Sequence, residues 1–325
     1  MSGGPVIVGQ GLAGTCVAWH LWWRGEPFSL LDREQGGASR VAAGLVNPVT
    51  GKNFEPSWRI AEFLPDALDF YARVERELGV TLWHPMTVLR LAASEKEWAK
   101  ISSKLTEEKV KPWVGGVVDA PDGWVGAVEV TGGGRVDTRL FTDASRGFFR
   151  ERGIYRKGDG ATESTNVFCE GAAGLISGKY GPSRCAKGEI LTVRADGWDE
   201  SRIRVGGGGW MVPLGAGKFR AGATYEWDDL DEVPTEKGRE FVEKIVCRLG
   251  GENFEVVDHV AGIRPILRRS EPLIGPLGDG NWMFNGLGSK GSLYAPAVAD
   301  RLVKWMLDGV PCEADLSYPE FRTDG

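Results

Sequence analysis

A short glycine motif near the beginning of the chain is the first pattern that could do chemistry. Three apolar residues, Val6–Val8, lead into GQGLAG at residues 9–14, which reads G-x-G-x-x-G. In such a loop the first glycine permits a tight turn, the second lets a pyrophosphate approach the backbone, and the third lets the next helix pack closely. Free N–H groups at the start of that helix face the anion. We therefore predict a dinucleotide site here.

An acidic residue follows the motif at the distance that a ribose contact needs. Asp32 ends the segment 28–32, 18 residues after Gly14. A carboxylate at the end of a second strand accepts hydrogen bonds from the ribose hydroxyls and disfavours a 2′-phosphate. The motif and the acid together indicate NAD or FAD and argue against NADP, and they leave the choice between those two open.

A β-α-β unit is predicted to position these groups. Residues 5–8 are predicted to form a buried strand, residues 12–24 a helix that ends at Gly25, and residues 28–32 a second strand. Apolar spacing and cap residues predict more helices, and alternation predicts antiparallel strands within 188–226. The further predicted helices cover 58–79, 95–108, 137–153, 235–249 and 296–307.

The order of these elements predicts an α/β plus antiparallel β fold with two domains. The 325 residues exceed one typical hydrophobic core. Mixed α/β patterns occur at the start, middle and end of the chain, with two β-rich stretches between them. We predict a discontinuous Rossmann-like nucleotide-binding domain (1–57, 131–184 and 256–325) and an inserted β-rich substrate domain (58–130 and 185–255).

Composition narrows the classes of partner. The formal net charge is −6 and no long run of Lys or Arg occurs, so a nucleic-acid partner is not expected, while a local basic patch is left open. Five scattered cysteines without a C-x-x-C pattern indicate reduced thiols, a cytoplasmic location and no metal site. The apolar stretch 6–23 is interrupted and falls short of a membrane span. No pattern indicates an oligomeric state.

Four stretches of the chain resemble the FAD-dependent oxidases of the D-amino acid oxidase, glycine oxidase and sarcosine oxidase (DAO) superfamily. They are, in the family's order, VIVGQGLAG…LLDR, GGASRVAAGLVNP, VFCEGAAG with the later KGEILTV, and HVAGIRPILRRSEPLIG…NGLGSKGSLYAPAVADRLVKWM. The first stretch is shared with many nicotinamide enzymes, whereas the last is far more specific. The resemblance implies FAD as the cofactor.

The resemblance also implies which residues contact FAD. A helix predicted to begin at Pro296 directs its positive end toward the pyrimidine side of the flavin, where charge stabilises the reduced form. Lys290 either adds a full charge there or lies in solvent. The implied FAD contacts are Gly9, Gly11, Leu12, Ala13, Gly14, Asp32, Arg33, Ser39, Arg40, Ala43, Gly44, Leu45, Gly171, Gly286, Gly288, Ser289, Lys290, Gly291 and Ser292.

Substrate contacts are implied at two further positions. Arg264, in AGIRP, stands where the family has an arginine that binds the substrate carboxylate, and a planar guanidinium fits that group; a structural ion pair is the alternative. The chain then departs from the family pattern with ILRRS, so Arg268 and Arg269 compete for the same role. Tyr225, in GATYEW, lies where the family lines its pocket, or else it packs on the sheet.

The implied activity is FAD-dependent oxidation of a C–N bond in a small amine or amino acid, with hydride transfer to flavin N5. Arg264 would hold a carboxylate, Tyr225 would line the pocket and Lys290 would stabilise the reduced flavin. The electron acceptor is oxygen or another oxidant. Two alternatives stay open: an oxidase for a larger substrate such as a modified tRNA base, and a flavin-binding protein without amine oxidase activity.

Overall fold

Two large sheets organise residues 3–267 and 271–318, the part of the chain that the computed structural model describes. The strands are β1 Val6–Val8, β2 Ser29–Asp32, β3 Leu45–Val46, β4 Val49–Thr50, β5 Glu55–Pro56, β6 Trp83–Pro85, β7 Thr87–Ala92, β8 Val114–Val118, β9 Gly126–Val130, β10 Gly134–Val136, β11 Tyr155–Lys157, β12 Asn166–Phe168, β13 Ala186–Arg194, β14 Arg202–Gly206, β15 Gly209–Gly215, β16 Lys218–Gly222, β17 Glu255–Arg264, β18 Leu273–Pro276 and β19 Trp282–Asn285. The helices are α1 Leu12–Arg24, α2 Ala38–Val41, α3 Ile60–Leu78, α4 Glu95–Lys104, α5 Thr138–Glu151, α6 Gly171–Ile176, α7 Glu236–Leu249 and α8 Gly291–Asp308, with one 3₁₀ turn, Lys111–Trp113.

The first sheet has six strands in the order β11-β2-β1-β12-β19-β18. Its first five strands run parallel, and β18 is antiparallel to β19. All three residues of β1 are buried, as a parallel strand covered on both faces requires. Helix α1 packs against α8, and α3 packs against α8 as well. One continuous hydrophobic core joins these helices to the sheet.

The second sheet has eight strands in the order β17-β13-β16-β15-β14-β7-β9-β8. Its neighbouring strands are antiparallel except for β7 and β14, which are parallel. Helix α7 covers one face, where Val242, Ile245 and Val246 pack on strand residues such as Phe219. The mixed α/β fold class is therefore confirmed.

The beginning of the last long helix was predicted wrongly. Helix α8 begins at Gly291, so Pro296 lies inside it. Proline has no N–H to donate to the carbonyl of Ser292, four residues earlier. The hydroxyl of Tyr71, on α3, donates to that carbonyl at 2.9 Å instead. A hydrogen bond from a distant helix thus replaces the one that the proline cannot make. No local sequence pattern could reveal this bond.

The two-domain division stays a prediction, and the packing of two segments bears on its boundaries. Helix α3 contributes to the core beneath the first sheet, although residues 58–130 were assigned to the substrate domain. Strand β17 pairs with β13 in the second sheet, although residues 256–325 were assigned to the nucleotide domain. Among the described residues, no helix combines the length and the apolar character that a membrane crossing needs.

Candidate active site

A cavity of about 1200 Å³ lies between loops of the two sheets. This volume exceeds the ~300–1,000 Å³ of ordinary small-molecule pockets, so it has room for a dinucleotide together with a small substrate. The first-sheet wall consists of lining residues within 9–12, 31–46, 169–173 and 287–293. The second-sheet wall consists of lining residues within 188–190, 205–210, 223–232 and 262–265.

The glycine motif forms a part of the first-sheet wall that has no room for side chains. Gly9 has φ +101°, and a Cβ there would lie 2.5 Å from the carbonyl oxygen of Cys169. A Cβ on Gly14 would lie 1.9 Å from the carbonyl oxygen of Gly9. Gly11 is the N-cap residue of α1, and no side chain of its own covers the helix start. Leu12 and Ala13 follow as the first buried residues of that helix.

Asp32 holds the turn and keeps its carboxylate beside the cavity. Its Oδ2 accepts a hydrogen bond from the backbone N–H of Gln10 at 2.7 Å, and its Oδ1 accepts from that of Glu34 at 2.8 Å. Each carboxylate oxygen has two lone pairs and uses one of them in these bonds, so each can still accept a hydrogen bond from a ribose hydroxyl. The side chain of Gln10 is anchored on α5, where its Nε2 donates to the carbonyl of Thr142 at 2.8 Å.

The loop after β2 brings the second group of predicted cofactor residues to the same wall. The hydroxyl of Ser39 accepts from the backbone N–H of Leu12 at 3.0 Å, which places it over the start of α1. Arg40 is neutralised by Asp143 at 2.8 Å, so its charge is already paired. Arg33 is exposed and donates to the carbonyl of Gln35 at 3.2 Å.

The backbone at Gly44 approaches a neighbouring strand closely, and its neighbours follow the same path. Gly44 has φ +69°, and a Cβ there would lie 1.8 Å from the carbonyl oxygen of Val136. Ala43 is buried, Leu45 is half-buried, and both line the cavity. This segment therefore presents backbone and small side chains to whatever the cavity binds.

The C-terminal glycine segment brings the start of α8 next to the start of α1. A Cβ on Gly291 would lie 2.8 Å from the side chain of Leu12, so the two helix N-termini meet at the cavity. Gly288 donates its N–H to the carbonyl of Pro265 at 2.9 Å. Gly286 has φ +83° and would clash with Leu267 if it carried a Cβ.

Two further predicted cofactor residues have clear positions near this segment. Gly171 has φ +56° and accepts a hydrogen bond from the amide of Asn285 at 3.0 Å. Ser292 is buried in the first turn of α8. Both residues line the cavity.

Lys290 stands immediately before α8, and its side chain is half-buried at the cavity. Its Nζ donates to the hydroxyl of Thr50 at 3.0 Å. Burial lowers the pKa of this ammonium group, and the carboxylate of Glu271 opposes that shift. The full positive charge of Lys290 and the positive end of the α8 dipole thus occupy the same part of the first-sheet wall.

Arg264 ends β17 on the second-sheet wall. Its Nη1 donates to the carbonyls of Lys187 at 3.3 Å and Thr224 at 3.2 Å, which fixes the guanidinium plane. Gly188 makes room for it, because a Cβ there would lie 2.2 Å from Nη2. Burial lowers the pKa of this group. Within residues 3–267 and 271–318, no carboxylate forms an ion pair with Arg264, so the predicted structural ion pair has no acid there.

Tyr225 connects the two walls. The guanidinium of Arg264 lies 4.2 Å from the centroid of its ring, and its hydroxyl is 3.1 Å from that of Ser289. The side chain is 50% exposed, so it borders the cavity rather than filling the sheet interior. Arg268 and Arg269, the other candidates for a carboxylate contact, lie outside the described residues.

Several residues that line the cavity were missed by the sequence analysis. Most of them come from the second sheet and the segment after β16, from α4 and α5, and from the β4–β5 hairpin, and tertiary contacts bring them together. Gln10 instead lies inside the glycine motif itself. The missed residues are Gln10, Thr50, Lys52, Arg90, Lys96, Glu97, Lys100, Arg146, Trp210, Leu230 and Glu232.

The first-sheet wall fits a dinucleotide. Backbone without side chains at Gly9 and Gly11 permits close approach of a pyrophosphate, and two helix N-termini favour its charge. Asp32 offers carboxylate oxygens to a ribose. Lys290 adds a positive charge beyond the α8 dipole, which suits a cofactor that becomes anionic on reduction.

Comparison with solved structures supports the same fold. Iminodiacetate oxidase (IdaA) from Chelativorans sp. BNC1 superposes with a TM-score of 0.79 at 21% sequence identity, covering 97% of this chain and 99% of that one. Glycine oxidase from Geobacillus kaustophilus superposes with a TM-score of 0.78 at 19% identity, covering 96% and 97%. At these identities the likeness establishes the fold.

Sequence comparison gives the family. A curated relative, the tRNA 5-methylaminomethyl-2-thiouridine biosynthesis bifunctional protein MnmC of Burkholderia pseudomallei (strain 668), is 25% identical over 373 residues. The match covers 94% of this chain and 56% of that protein, so the chain spans little more than half of the relative's length. Residues 6–305 match the family described as FAD dependent oxidoreductase (DAO). The chain therefore belongs to the DAO family of FAD-dependent oxidoreductases.

Proposed function

We propose that this chain oxidises the C–N bond of a small amine that also carries a carboxylate, such as an amino acid or an N-substituted amino acid. The observation that supports this proposal is the state of Arg264. A half-buried guanidinium faces the cofactor cavity, and no described carboxylate pairs with it. A cation in this state is stabilised by an anionic ligand, and a carboxylate matches its planar donors.

Bound FAD supplies the hydride acceptor, and the protein's residues orient the substrate. Two backbone carbonyls accept hydrogen bonds from Nη1 of Arg264. These bonds fix the plane of the guanidinium and therefore the direction in which Nη2 and Nε can donate. The ring of Tyr225 covers one face of the guanidinium. A carboxylate bound to this fork is therefore fixed in position and direction, and such positioning is a large part of catalysis in a reaction that the cofactor carries out.

Lys290 and the first turn of α8 supply positive charge on the opposite wall. The Nζ of Lys290 is held by the Thr50 hydroxyl, so the charge has a fixed location. A preorganised charge stabilises negative charge that develops during the reaction without reorganising at that moment. Arg264 thus binds the substrate, and Lys290 supports the electron-accepting side.

The proposal is tested with the FAD-loaded protein under anaerobic conditions. Glycine, sarcosine, proline and iminodiacetate are compared with methylamine, dimethylamine and pyrrolidine, which lack the carboxylate. We expect at least one carboxylate-bearing amine to bleach the visible flavin band, and its carboxylate-free partner to bleach it much more slowly. Bleaching by no amine in a protein that binds FAD would overturn the proposal and leave two alternatives, an oxidase for a larger substrate and a flavin-binding protein without amine oxidase activity.

A second candidate is an oxidase that acts on an amine attached to a larger anionic substrate, such as a modified tRNA base. The observation that favours it is a group of exposed lysines at the cavity, Lys52, Lys96 and Lys100. Lys96 and Lys100 are one helical turn apart on α4, and Lys100 donates to the neutral amide of Asn53. None of the three pairs with an acid among the described residues. Ammonium groups of this kind bind phosphate groups by acting as positive point charges.

The name of the MnmC relative also favours this candidate, and a gel shift distinguishes the two. Bulk tRNA at low salt is mixed with wild-type protein and with a Lys52→Glu/Lys96→Glu/Lys100→Glu variant. Retardation by the wild type that the variant loses would support a tRNA substrate. An absence of retardation would leave the small carboxylate-bearing amine as the substrate class.

A further inference from the structure

The segment between β16 and α7 crosses from the second sheet to the cofactor loop. It comprises residues 223–235 and is called the clasp segment here. Its first part holds Tyr225 at the cavity, and its last residue, Thr235, caps α7 while bound to the buried carboxylate of Glu189 at 2.8 Å. Between these points the segment leaves the sheet and contacts the loop that follows β2.

Three consecutive residues of the clasp segment have three different contacts. Leu230 lines the cavity. Asp231 accepts a hydrogen bond at 2.5 Å from Lys187, whose side chain is 2% exposed. Glu232 reaches the other way, and its carboxylate accepts from the backbone N–H of Gly37 at 2.8 Å. One residue thus fastens the segment to its own sheet, and the next fastens it to the first-sheet wall.

The cofactor loop is shaped to receive this carboxylate. Gly36 has φ +60°, and a Cβ there would lie 1.9 Å from Oε2 of Glu232. Gly37 has φ +102° and precedes α2, which carries Ser39 and Arg40 of the first-sheet wall. The contact therefore joins the clasp segment to the loop between Asp32 and Ser39. This loop borders the nucleotide half of the cofactor site.

We infer that Glu232 is a cofactor-retaining residue. Its bond to Gly37 joins the clasp segment to the first-sheet wall at the edge of the cavity that Leu230 and Glu232 line, so that FAD leaves only after this bond breaks. The base of the segment does not depend on Glu232, because the buried Lys187 ammonium holds Asp231 independently. This inference concerns FAD retention and does not depend on which amine is oxidised.

The competing explanation is a purely structural tether. A tether would stabilise the folded chain equally with and without FAD, whereas a cofactor-retaining contact changes the rate of FAD release. These effects are separated by measuring both the dissociation rate of FAD and the urea midpoint of the apoprotein. Release is followed by the fluorescence of free FAD after dilution of the FAD-loaded chain.

Glu232→Ala is compared with Glu232→Gln and with Asp229→Ala. Gln keeps a carbonyl acceptor for Gly37, and Asp229 is an exposed acid on the same segment with no hydrogen bond or ion pair among the described residues. Since hydrogen bonds to charged groups are among the stronger ones, we expect FAD release about 10-fold faster in Glu232→Ala. Release from Glu232→Gln should be within about 3-fold of wild type because a neutral bond remains. Release from Asp229→Ala should not change, and any fall in the apoprotein midpoint of Glu232→Ala should be too small to account for its faster FAD release.

A substitution at Gly36, on the loop that the Glu232 carboxylate contacts, gives an independent check. Gly36→Ala displaces the Glu232 carboxylate in the wild-type background, but that carboxylate is absent in Glu232→Ala. The added effect of Gly36→Ala on FAD release should therefore be smaller in the Glu232→Ala background. Wild-type release from Glu232→Ala would overturn the inference. So would equal acceleration by Asp229→Ala, or a fall in the apoprotein midpoint that accounts for the change.

Discussion

The two walls of the cavity use different parts of the polypeptide to bind. The first-sheet wall works mainly through backbone: glycines at 9, 11 and 14, and the N-termini of α1 and α8. The second-sheet wall presents side chains to the cavity, with Arg264 and Tyr225 as its main polar groups. A pyrophosphate suits a site built from backbone N–H groups, whereas selection among substrates suits a site built from side chains. The comparison predicts that changes on one wall leave the other wall's function intact.

The two walls also differ in how they are assembled. The glycine loop and Asp32 belong to one β-α-β unit, so short-range order alone positions them. Arg264 is positioned by the pairing of β13 with β17, which sets it opposite Ala186 and next to the carbonyl of Lys187. Tyr225 reaches Arg264 only because β16 pairs with β13 from the other side.

The largest effect is expected from Gly14→Ala on the first-sheet wall. The new Cβ would lie 1.9 Å from a backbone oxygen, so α1 must move away from the sheet. We expect a loss of about 3 kcal/mol in the free energy of unfolding, as overpacking of a backbone contact costs. FAD affinity should fall at least about 100-fold, since roughly 1.4 kcal/mol corresponds to each factor of ten. Urea unfolding and FAD titration measure both.

Gly147→Ala is the matched control, because a Cβ at this helical glycine of α5 meets no atom within 4 Å. Alanine there should leave FAD affinity unchanged and add about 0.5–1 kcal/mol of stability through helix propensity. Equal losses of affinity in both variants would contradict the close-packing explanation of the motif.

The next largest effect is expected from Arg264→Met on the second-sheet wall. The variant should lower kcat/KM for a carboxylate-bearing amine by about 100- to 1,000-fold, as expected when a buried charge contact is removed. Arg264→Lys should be intermediate, because it keeps the charge and loses the planar fork. FAD affinity should not change in either variant. A parallel loss for an amine without a carboxylate would show that Arg264 is structural.

The pH dependence of stability tests the support beneath the first-sheet wall. Burial lowers the pKa of His20 from 6.5 to about 4, against the opposing effect of Asp300. Its Nε2 donates to the carbonyl of Pro296 at 3.1 Å, so the neutral ring joins α1 to α8. As pH falls from 6.5 toward 4, the unfolded chain gains a proton that the folded chain does not. We expect a stability loss of about 2–3 kcal/mol over that interval from this group.

His20→Gln removes the titration and keeps an amide that can donate to Pro296. The difference in unfolding free energy between wild type and variant should therefore change across this pH interval and stay constant above it. A parallel pH profile for both proteins would contradict the role assigned to His20.

The smallest effect is expected at the proline inside α8. Tyr71→Phe leaves the buried carbonyl of Ser292 without its hydroxyl donor, which should cost about 1–2 kcal/mol of stability. Pro296→Ala restores a backbone N–H for that carbonyl, so the double variant should regain most of the loss. Unfolding of the four proteins forms a double-mutant cycle. Additive effects would show that the hydroxyl and the proline are not coupled.

The sequence carries more local signal for the first-sheet wall than for the second. Residues 9–12, Asp32 and residues 287–292 are positioned by local spacing, and all of them line one cavity. The beginning of α8 was wrong because the donor that tolerates Pro296 comes from α3, more than two hundred residues earlier. Lys52, Lys96 and Glu232 were missed because sheet pairing and helix packing, not sequence spacing, bring them to the cavity.

The central claim is that the second-sheet wall binds the carboxylate of the substrate, and its most direct test uses the unmodified protein. FAD-loaded wild type is mixed anaerobically with an amino acid that reduces it and, separately, with the carboxamide of that amino acid. The initial flavin absorbance reports FAD binding at the first-sheet wall. The bleaching rate reports substrate binding and orientation at the second-sheet wall. We predict identical initial spectra and bleaching that is about 100-fold slower with the carboxamide, in line with the loss of one charged contact. Equal bleaching rates for the acid and its amide would contradict the account.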